Sequence, residues 1–396
     1  LGIFGIVSEQ GTVNNLNVSL SYFDGYGDIG SIAGVSYSPI TNCTSTAVLV
    51  GVEDVGGIVG ESYGNISDCL FDGSITVEQY KSSSSAAGIG GSDAGGIVGK
   101  MCEGSSRITD CSVDGKISAY KNAGGIVGLC EVDNISIENC TSDAVVNATQ
   151  NAAGILAYAP NLKVSFEYCT NNSDVTAALN AGGYFADCYA TILSGVNNGC
   201  IEAEQNAGGF GAAGSLNIEK SINKGSVTAT SGMAAAFIAA GDINAQFCYN
   251  IANITGGTAA SGFAVSGENA VINQCHNYVA VTATAVDAFA VDFTNITITS
   301  AYYCSDFMSS VNGAPADKEW FSCGYVALLL NRSNDNNFWA QDELYPVFGS
   351  DSMQGYVLPF GGEGSIISPY IISTENELRL ARILVNTEES WAAKSY

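Results

Sequence analysis

The chain has 396 residues, 39 acidic and 13 basic, for a formal net charge of −26. That balance excludes nucleic acid as a partner class, because no basic footprint is present to neutralise phosphates. The longest apolar runs, 234–240 and 326–330, are far shorter than the roughly 20 residues a membrane helix needs.

The N-terminal Leu1-Gly-Ile-Phe-Gly carries no initiator Met, basic region or cleavage site, and reads as a cut inside a longer polypeptide. From there a repeat runs down the chain. Ala94-Gly-Gly-Ile-Val-Gly99 recurs as Ala123-Gly-Gly-Ile-Val-Gly128. With the Gly or Ala before the first large apolar residue as anchor, copies fall at Gly5, Gly34, Gly57, Gly96, Gly125, Gly154, Gly183, Gly209, Ala236, Gly262 and Ala288. The steps of 29, 23, 39, 29, 29, 29, 26, 27, 26 and 26 predict a repeat architecture.

A second column keeps phase with the first. Ile108-Thr-Asp-Cys111, Ile137-Glu-Asn-Cys140, Phe166-Glu-Tyr-Cys169 and Ile272-Asn-Gln-Cys275 place a large apolar residue three before a cysteine. A third segment follows, as in Gly115-Lys-Ile-Ser-Ala119 and Asp174-Val-Thr-Ala177. Three short alternating segments per repeat, parted by Gly, Asn, Asp and Ser, predict three strands per coil. The expected fold is an all-β, right-handed parallel β-helix of ten to eleven coils of 26–29 residues, with short C-terminal helices; the hand follows from the crossover preference of parallel strands. Coils stacked about 4.8 Å apart make a rod roughly 50 Å long. Gly57, Gly96, Gly125, Gly154, Gly183, Gly209 and Gly262 are expected at the narrow corner where backbones approach.

Cys43, Cys69, Cys111, Cys140, Cys169, Cys248 and Cys275 share one column, with Gly195 and Ser221 filling it in two coils. Side chains stacked in register point the same way, so a buried thiol ladder is expected rather than disulfides. The better disulfide candidates are Cys102 with Cys130, in neighbouring coils, and Cys304 with Cys323, which bracket a loop. With no Cys-x-x-Cys and no histidine partners, metal and cofactor are expected to be none, apart from weak Ca²⁺ binding at carboxylates.

Carboxylates next to the cysteine column, Asp68, Asp110, Glu138 and Glu167, read as a solvated acidic ladder; a hydrolase using paired carboxylates is the alternative. The one histidine, His276, follows Cys275, where other coils carry Thr141 or Thr170, and alternation points it outward. The 39-residue step carries about ten extra residues around Tyr80, Lys81, Ser82, Ser83, Ser84 and Ser85, a candidate interaction loop. Tyr184, Phe210, Phe237 and Phe263 replace the Ile or Val of the anchor segment and belong to the core, whereas phase assigns Tyr249 and Tyr278 to an exposed strand where a sugar could stack.

After the repeats, 317–330 reads as a short helix covering the last coil, and Thr374-Glu-Asn-Glu377 as a capping box opening an amphipathic helix. The predicted organisation is a solenoid over 1–305, a capping segment over 306–360, and the start of a following module over 361–396. Sequons such as Asn65-Ile-Ser and Asn139-Cys-Thr follow from an Asn- and Thr-rich composition and carry no claim.

At Gly95-Gly-Ile-Val-Gly99 and its copies, and at Leu1-Gly-Ile-Phe-Gly-Ile-Val7 followed by Val13-Asn-Asn-Leu-Asn-Val18, the sequence resembles the GLUG repeat of bacterial surface proteins and of the region preceding some bacterial immunoglobulin A metalloproteases. The segments Tyr325-Val-Ala-Leu-Leu-Leu-Asn331, Trp339-Ala-Gln-Asp342 and Tyr345-Pro-Val-Phe-Gly349 resemble closing segments after such repeats. The resemblance implies an extracellular, cell-surface location and a solenoid architecture, and supplies no ligand. Together with basic residues too few and scattered for a lyase site, it leads to a non-catalytic structural or adhesive segment of a larger protein, with a host glycan, a matrix protein or further copies in a surface array as expected partners and no membrane insertion. A carbohydrate-binding or carbohydrate-active β-helix is the alternative, and a protease-associated module a third, although no His-Glu-x-x-His is present.

Overall fold

A computed structural model describes residues 1–78, 92–332, 338–349 and 358–394. The chain forms a parallel β-solenoid of about eleven turns, followed by short helices. The ladders are parallel throughout the solenoid, and the one antiparallel strand pair among the described residues, Trp339–Gln341 with Pro346–Phe348, lies outside it. One face stacks ten short strands from Ile29–Gly30 to Ala285–Asp287. A second carries sixteen strands. In the early coils it is broken into pairs such as Val98–Met101 and Arg107–Thr109, and from Leu156–Glu167 onward it runs continuously. The third face continues each coil after the cysteine column.

Alternation sends one residue in two inward, and the inward residues form one continuous core from Val7 to Tyr303. Aromatics stack through it as expected. Tyr184, Phe210, Phe237, Phe263 and Phe289 follow one another at centroid spacings of 4.9, 5.2, 4.4 and 5.2 Å.

Strand register corrects the anchor of the first two coils. Val55 pairs with Ile29 and Gly56 with Gly30, so the partner of Gly57 is Ser31, not Gly34. Phe4 pairs with Ala33, which makes the first anchor Gly2 rather than Gly5. The irregular 23-residue step thereby becomes a regular one of 26. In the later coils the anchor column stands as read. At Gly183 a Cβ would collide with the carbonyl of Gly209 in the next coil, and Gly57, Gly96, Gly125, Gly154, Gly209 and Gly262 meet the next coil in the same way.

The residue before the cysteine column turns each coil in the left-handed region. Asn15, Asn42, Asp68, Asp110, Asn139, Tyr168, Ser194, Lys220, Phe247, Gln274 and Ser300 all have φ between 48° and 59°. Asn and Asp tolerate this conformation, whereas a bulky residue is strained there. Tyr168 sits at φ 55° with its side chain largely exposed. Tyr168→Asn is therefore expected to stabilise the chain by about 0.5–1 kcal/mol, read as a higher thermal midpoint, whereas Asn139→Tyr in the neighbouring coil should lower it.

The helices at Lys318–Ser322 (α1) and Tyr325–Arg332 (α2) cover the last coil at Tyr302, Cys304 and Ala316, on its flank. They lie along the flank of the later coils, where Phe321, Val326, Leu330 and Trp339 cover Phe247, Tyr249 and Tyr278. The reason is compositional. The column holding Thr141 and Thr170 in middle coils becomes Ile222, Tyr249, His276 and Tyr302 later, an apolar strip that has to be buried. The coil end is closed instead by the segment before Gly313. Met308 packs on the core, and the Asp287 carboxylate accepts bonds from the backbone N–H groups of Phe289, Ala290, Val311 and Asn312.

The helix at Glu375–Thr387 (α3) is capped by Thr374 Oγ1, which accepts from Glu377 N–H at 3.2 Å. It folds back onto α1 and α2, placing Leu380, Ile383 and Leu384 against Tyr325, Leu328 and Leu329. Ion pairs Arg382–Glu319 and Arg332–Glu388 tie it down. The segment assigned to a following module thus packs on α1 and α2.

Candidate functional site

The cysteine column is interior. Cys43, Cys69, Cys111, Cys140, Cys169, Cys248 and Cys275 are all buried, and most donate to the carbonyl two residues earlier, as Cys111 does to Thr109 at 3.2 Å. Burial pushes the Cys248 thiol well above the ordinary range, whereas bonds from the neighbouring thiols draw Cys69 and Cys140 below it, so the ladder shares protons along its length. Neither proposed disulfide pair is joined. Register opposes Cys130 to Met101; Cys102 donates to Glu61 Oε1 at 3.1 Å and Cys130 to the Val132 carbonyl at 3.3 Å. Cys304 packs under the flanking cap while Cys323 belongs to the cluster beneath α3.

The four carboxylates of the acidic ladder fall in two columns, one and two residues before the cysteines. Asp68 and Asp110 occupy the left-handed turn, while Glu138 and Glu167 pair one position earlier on the strand. Glu138 is held below the usual carboxylate range by the Ser136 hydroxyl and by Arg107.

His276 is the plainest departure from the sequence expectation. It is fully buried, its ring stacked on Tyr249 at 4.9 Å and its Nε2 2.8 Å from the Pro346 carbonyl. Tyr249 and Tyr278, expected to be exposed, are buried beside it. Alternation did point all three out of the core; the flanking cap then covered them. The candidate loop of Tyr80, Lys81, Ser82, Ser83, Ser84 and Ser85 lies outside the described residues.

Sequence reasoning missed the most perturbed carboxylates. Ile29, Val55 and Ala94 are successive ladder partners, so Asp28, Asp54 and Asp93, each one residue earlier, stack in adjacent coils. Glu61 and Lys100, paired with each other on the second face, lie within reach of them. Lys100 Nζ is 3.8 Å from Glu61 Oε1 and 3.1 Å from Glu131 Oε2. Burial, reinforced by Asp93, pushes the Asp54 carboxyl up to about 7. Asp28 and Asp93 are raised as well, each mainly by burial. From Asp93 onward the column turns neutral: Asn122 donates to Asp93 at 2.6 Å, Asn151 to Asn122 at 2.8 Å, and Asn180 and Asn206 extend the chain at 2.9 Å each. The signal was legible, since Asp54 and Asp93 stand three before Gly57 and Gly96; the misplaced anchor at Gly34 hid Asp28.

Among the described residues no three His, Cys, Asp or Glu side chains are disposed to hold a metal ion. Lys100 supplies positive charge at the Asp28–Asp54–Asp93 cluster. No described helix is long and apolar enough to cross a membrane.

Comparison with known proteins gives little. No family model and no curated protein matches the chain, so the GLUG resemblance rests on the motifs alone. Among solved structures, a protein from Bacteroides ovatus described as a "putative immunoglobulin A1 protease" is 14% identical, covering 81% of this chain and 86% of its own, with a TM-score of 0.26.

Proposed function

We propose that the chain is a rigid spacer or display rod of a cell-surface protein, structural or adhesive rather than catalytic. The observation that carries this reading is the monotony of the outward columns. Ser118, Asn147, Thr176, Glu202, Thr228, Thr255 and Thr282 follow one another in register. Ser136, Ser165, Thr191, Asn217 and Asn244 do the same on the second face. Small polar side chains that repeat coil after coil give a soluble rod that holds its ends apart. Tyr184, Phe210, Phe237 and Phe263 are spent on the core and Tyr249 and Tyr278 lie beneath the cap, which leaves the exposed aromatics Tyr22, Tyr26, Tyr37, Tyr168 and Tyr189 outside these two columns. Partners in this reading are a host glycan, a matrix protein or further copies of the rod.

A carbohydrate-active reading draws support from one feature, the Asp54 carboxyl near neutrality beside Asp28, Asp93 and Glu61, since a general acid works best with such a value. One experiment separates the two. The folded chain is screened on glycan and matrix arrays while released reducing ends and unsaturated uronates are assayed in the same wells. Binding without turnover is the expected result. Turnover abolished by Asp54→Asn would overturn the structural reading.

A further inference from the structure

We infer that His276 is an acid-sensitive latch that holds the C-terminal cap against the flank of the solenoid. The ring lies at the interface between the two parts. On the solenoid side it stacks on Tyr249 and pairs in register with Tyr302. On the cap side it meets Trp339, Phe321 and Tyr345 at centroid distances of 5.4, 5.7 and 6.4 Å. Nε2 donates to the Pro346 carbonyl, which leaves Nδ1 as the unprotonated nitrogen of the neutral ring. Among the described residues Nδ1 has no hydrogen-bond partner. A second proton there would place an imidazolium N–H in an apolar pocket without an acceptor. The groups facing the ring offer no compensating charge: Tyr249, Tyr302, Tyr278 and Tyr345 are phenols, and burial raises each of them further. Asp342 acts on Tyr249 and Tyr345 but makes no bond to the ring.

The direction follows from linkage. Burial lowers the His276 ring from 6.5 to about 3, so the docked cap excludes a proton that the undocked cap accepts. Docking is at full strength above pH 6.5. Below it, the docking equilibrium weakens about tenfold per pH unit, roughly a hundredfold by pH 4.5. Release would uncover the strip of Phe247, Tyr249 and Tyr278.

The molecule carries its own reporters. Its three tryptophans, Trp320, Trp339 and Trp391, all lie in the cap, so their emission follows docking while far-ultraviolet circular dichroism follows the ladders. The whole chain is titrated with urea at pH 7.5 and pH 4.5. The emission transition should come at lower urea at pH 4.5, with a gain in binding of an apolar dye, while the ladder transition lags behind. In His276→Phe the acid shift should shrink by the histidine's share, about a hundredfold in the docking constant. An equal shift in wild type and His276→Phe would overturn the latch and assign the effect to carboxylates such as Glu319 and Glu388. Should the variant fail to fold, proton NMR of the single histidine decides. A ring titrating near pH 6.5 with unchanged tryptophan emission would overturn the proposal; a ring that stays neutral until emission changes supports it.

Discussion

Asn223→Leu is expected to destabilise the solenoid by roughly 2–5 kcal/mol, read as a lower urea midpoint for the ladder transition. Asn171, Asn197, Asn223, Asn250 and Asn277 form a fully buried amide ladder. Each Nδ2 donates to the next Oδ1 at 2.7–2.9 Å. Asn223 also donates to the Gly225 carbonyl at 3.0 Å. Leucine has the same number of side-chain heavy atoms and leaves no cavity, so the loss combines the missing hydrogen bonds with the crowding of its bulkier methyl groups. It removes the acceptor of Asn197 and the donor to Asn250, both fully buried. A second amide ladder supplies the control. Asn198 donates to Asn172 at 2.7 Å on the exposed face, and there water competes. Asn198→Leu should change stability by no more than about 0.5 kcal/mol. Similar losses for the two variants would show that burial is not what gives the inner ladder its value.

Asp54→Asn should stabilise the chain at pH 8 and have little effect at pH 4. Burial and Asp93 raise the folded carboxyl from 3.8 to about 7, so the folded state holds a proton that the unfolded state releases. Below about pH 3.8 both states are protonated and no penalty exists. The penalty then grows as pH rises and is complete above about 7, where it is on the order of 2–4 kcal/mol. The substitution suits the backbone, because Asp54 has φ 47° and asparagine tolerates that region as well as aspartate does. The same exchange already exists in the column, where Asn122 follows Asp93. Thermal unfolding at the two pH values checks it, and an equal gain at both would show that charge is not the cause. The two ends of the molecule thus answer acid in opposite senses: the Asp28–Asp54–Asp93 stack is relieved by it, and the His276 interface is weakened.

Most of the solenoid was legible because its physics is periodic. One strand alternates with period two, one coil repeats every 26–29 residues, and stacking forces equivalent residues into columns. The glycine corner, the cysteine column, the buried aromatic run from Tyr184 to Phe263 and the three strands per coil all follow from phase. Where phase was misjudged, at Gly34, the aspartate stack was lost with it. A left-handed turn before the cysteine was readable from Asn42, Asp68, Asp110 and Asn139, but Tyr168, Lys220 and Phe247 obscure it, since the fold imposes that conformation on residues that do not favour it.

What the sequence determined by itself is therefore the column to which each residue belongs and whether its side chain points into the coil. It could not determine what covers an outward-pointing side chain. His276, Tyr249 and Tyr278 point outward as alternation requires, and they are buried because α1, α2 and the Trp339–Gln341 strand return along that flank. Docking of α3 onto α1 and α2 was equally beyond reach. Inward placement is set by neighbours one coil away in a regular ladder. Cap placement depends on contacts between residues 56–70 apart in the chain, such as Gln274 with Leu330, Glu319 with Arg382 and His276 with Pro346, and these have no period to read.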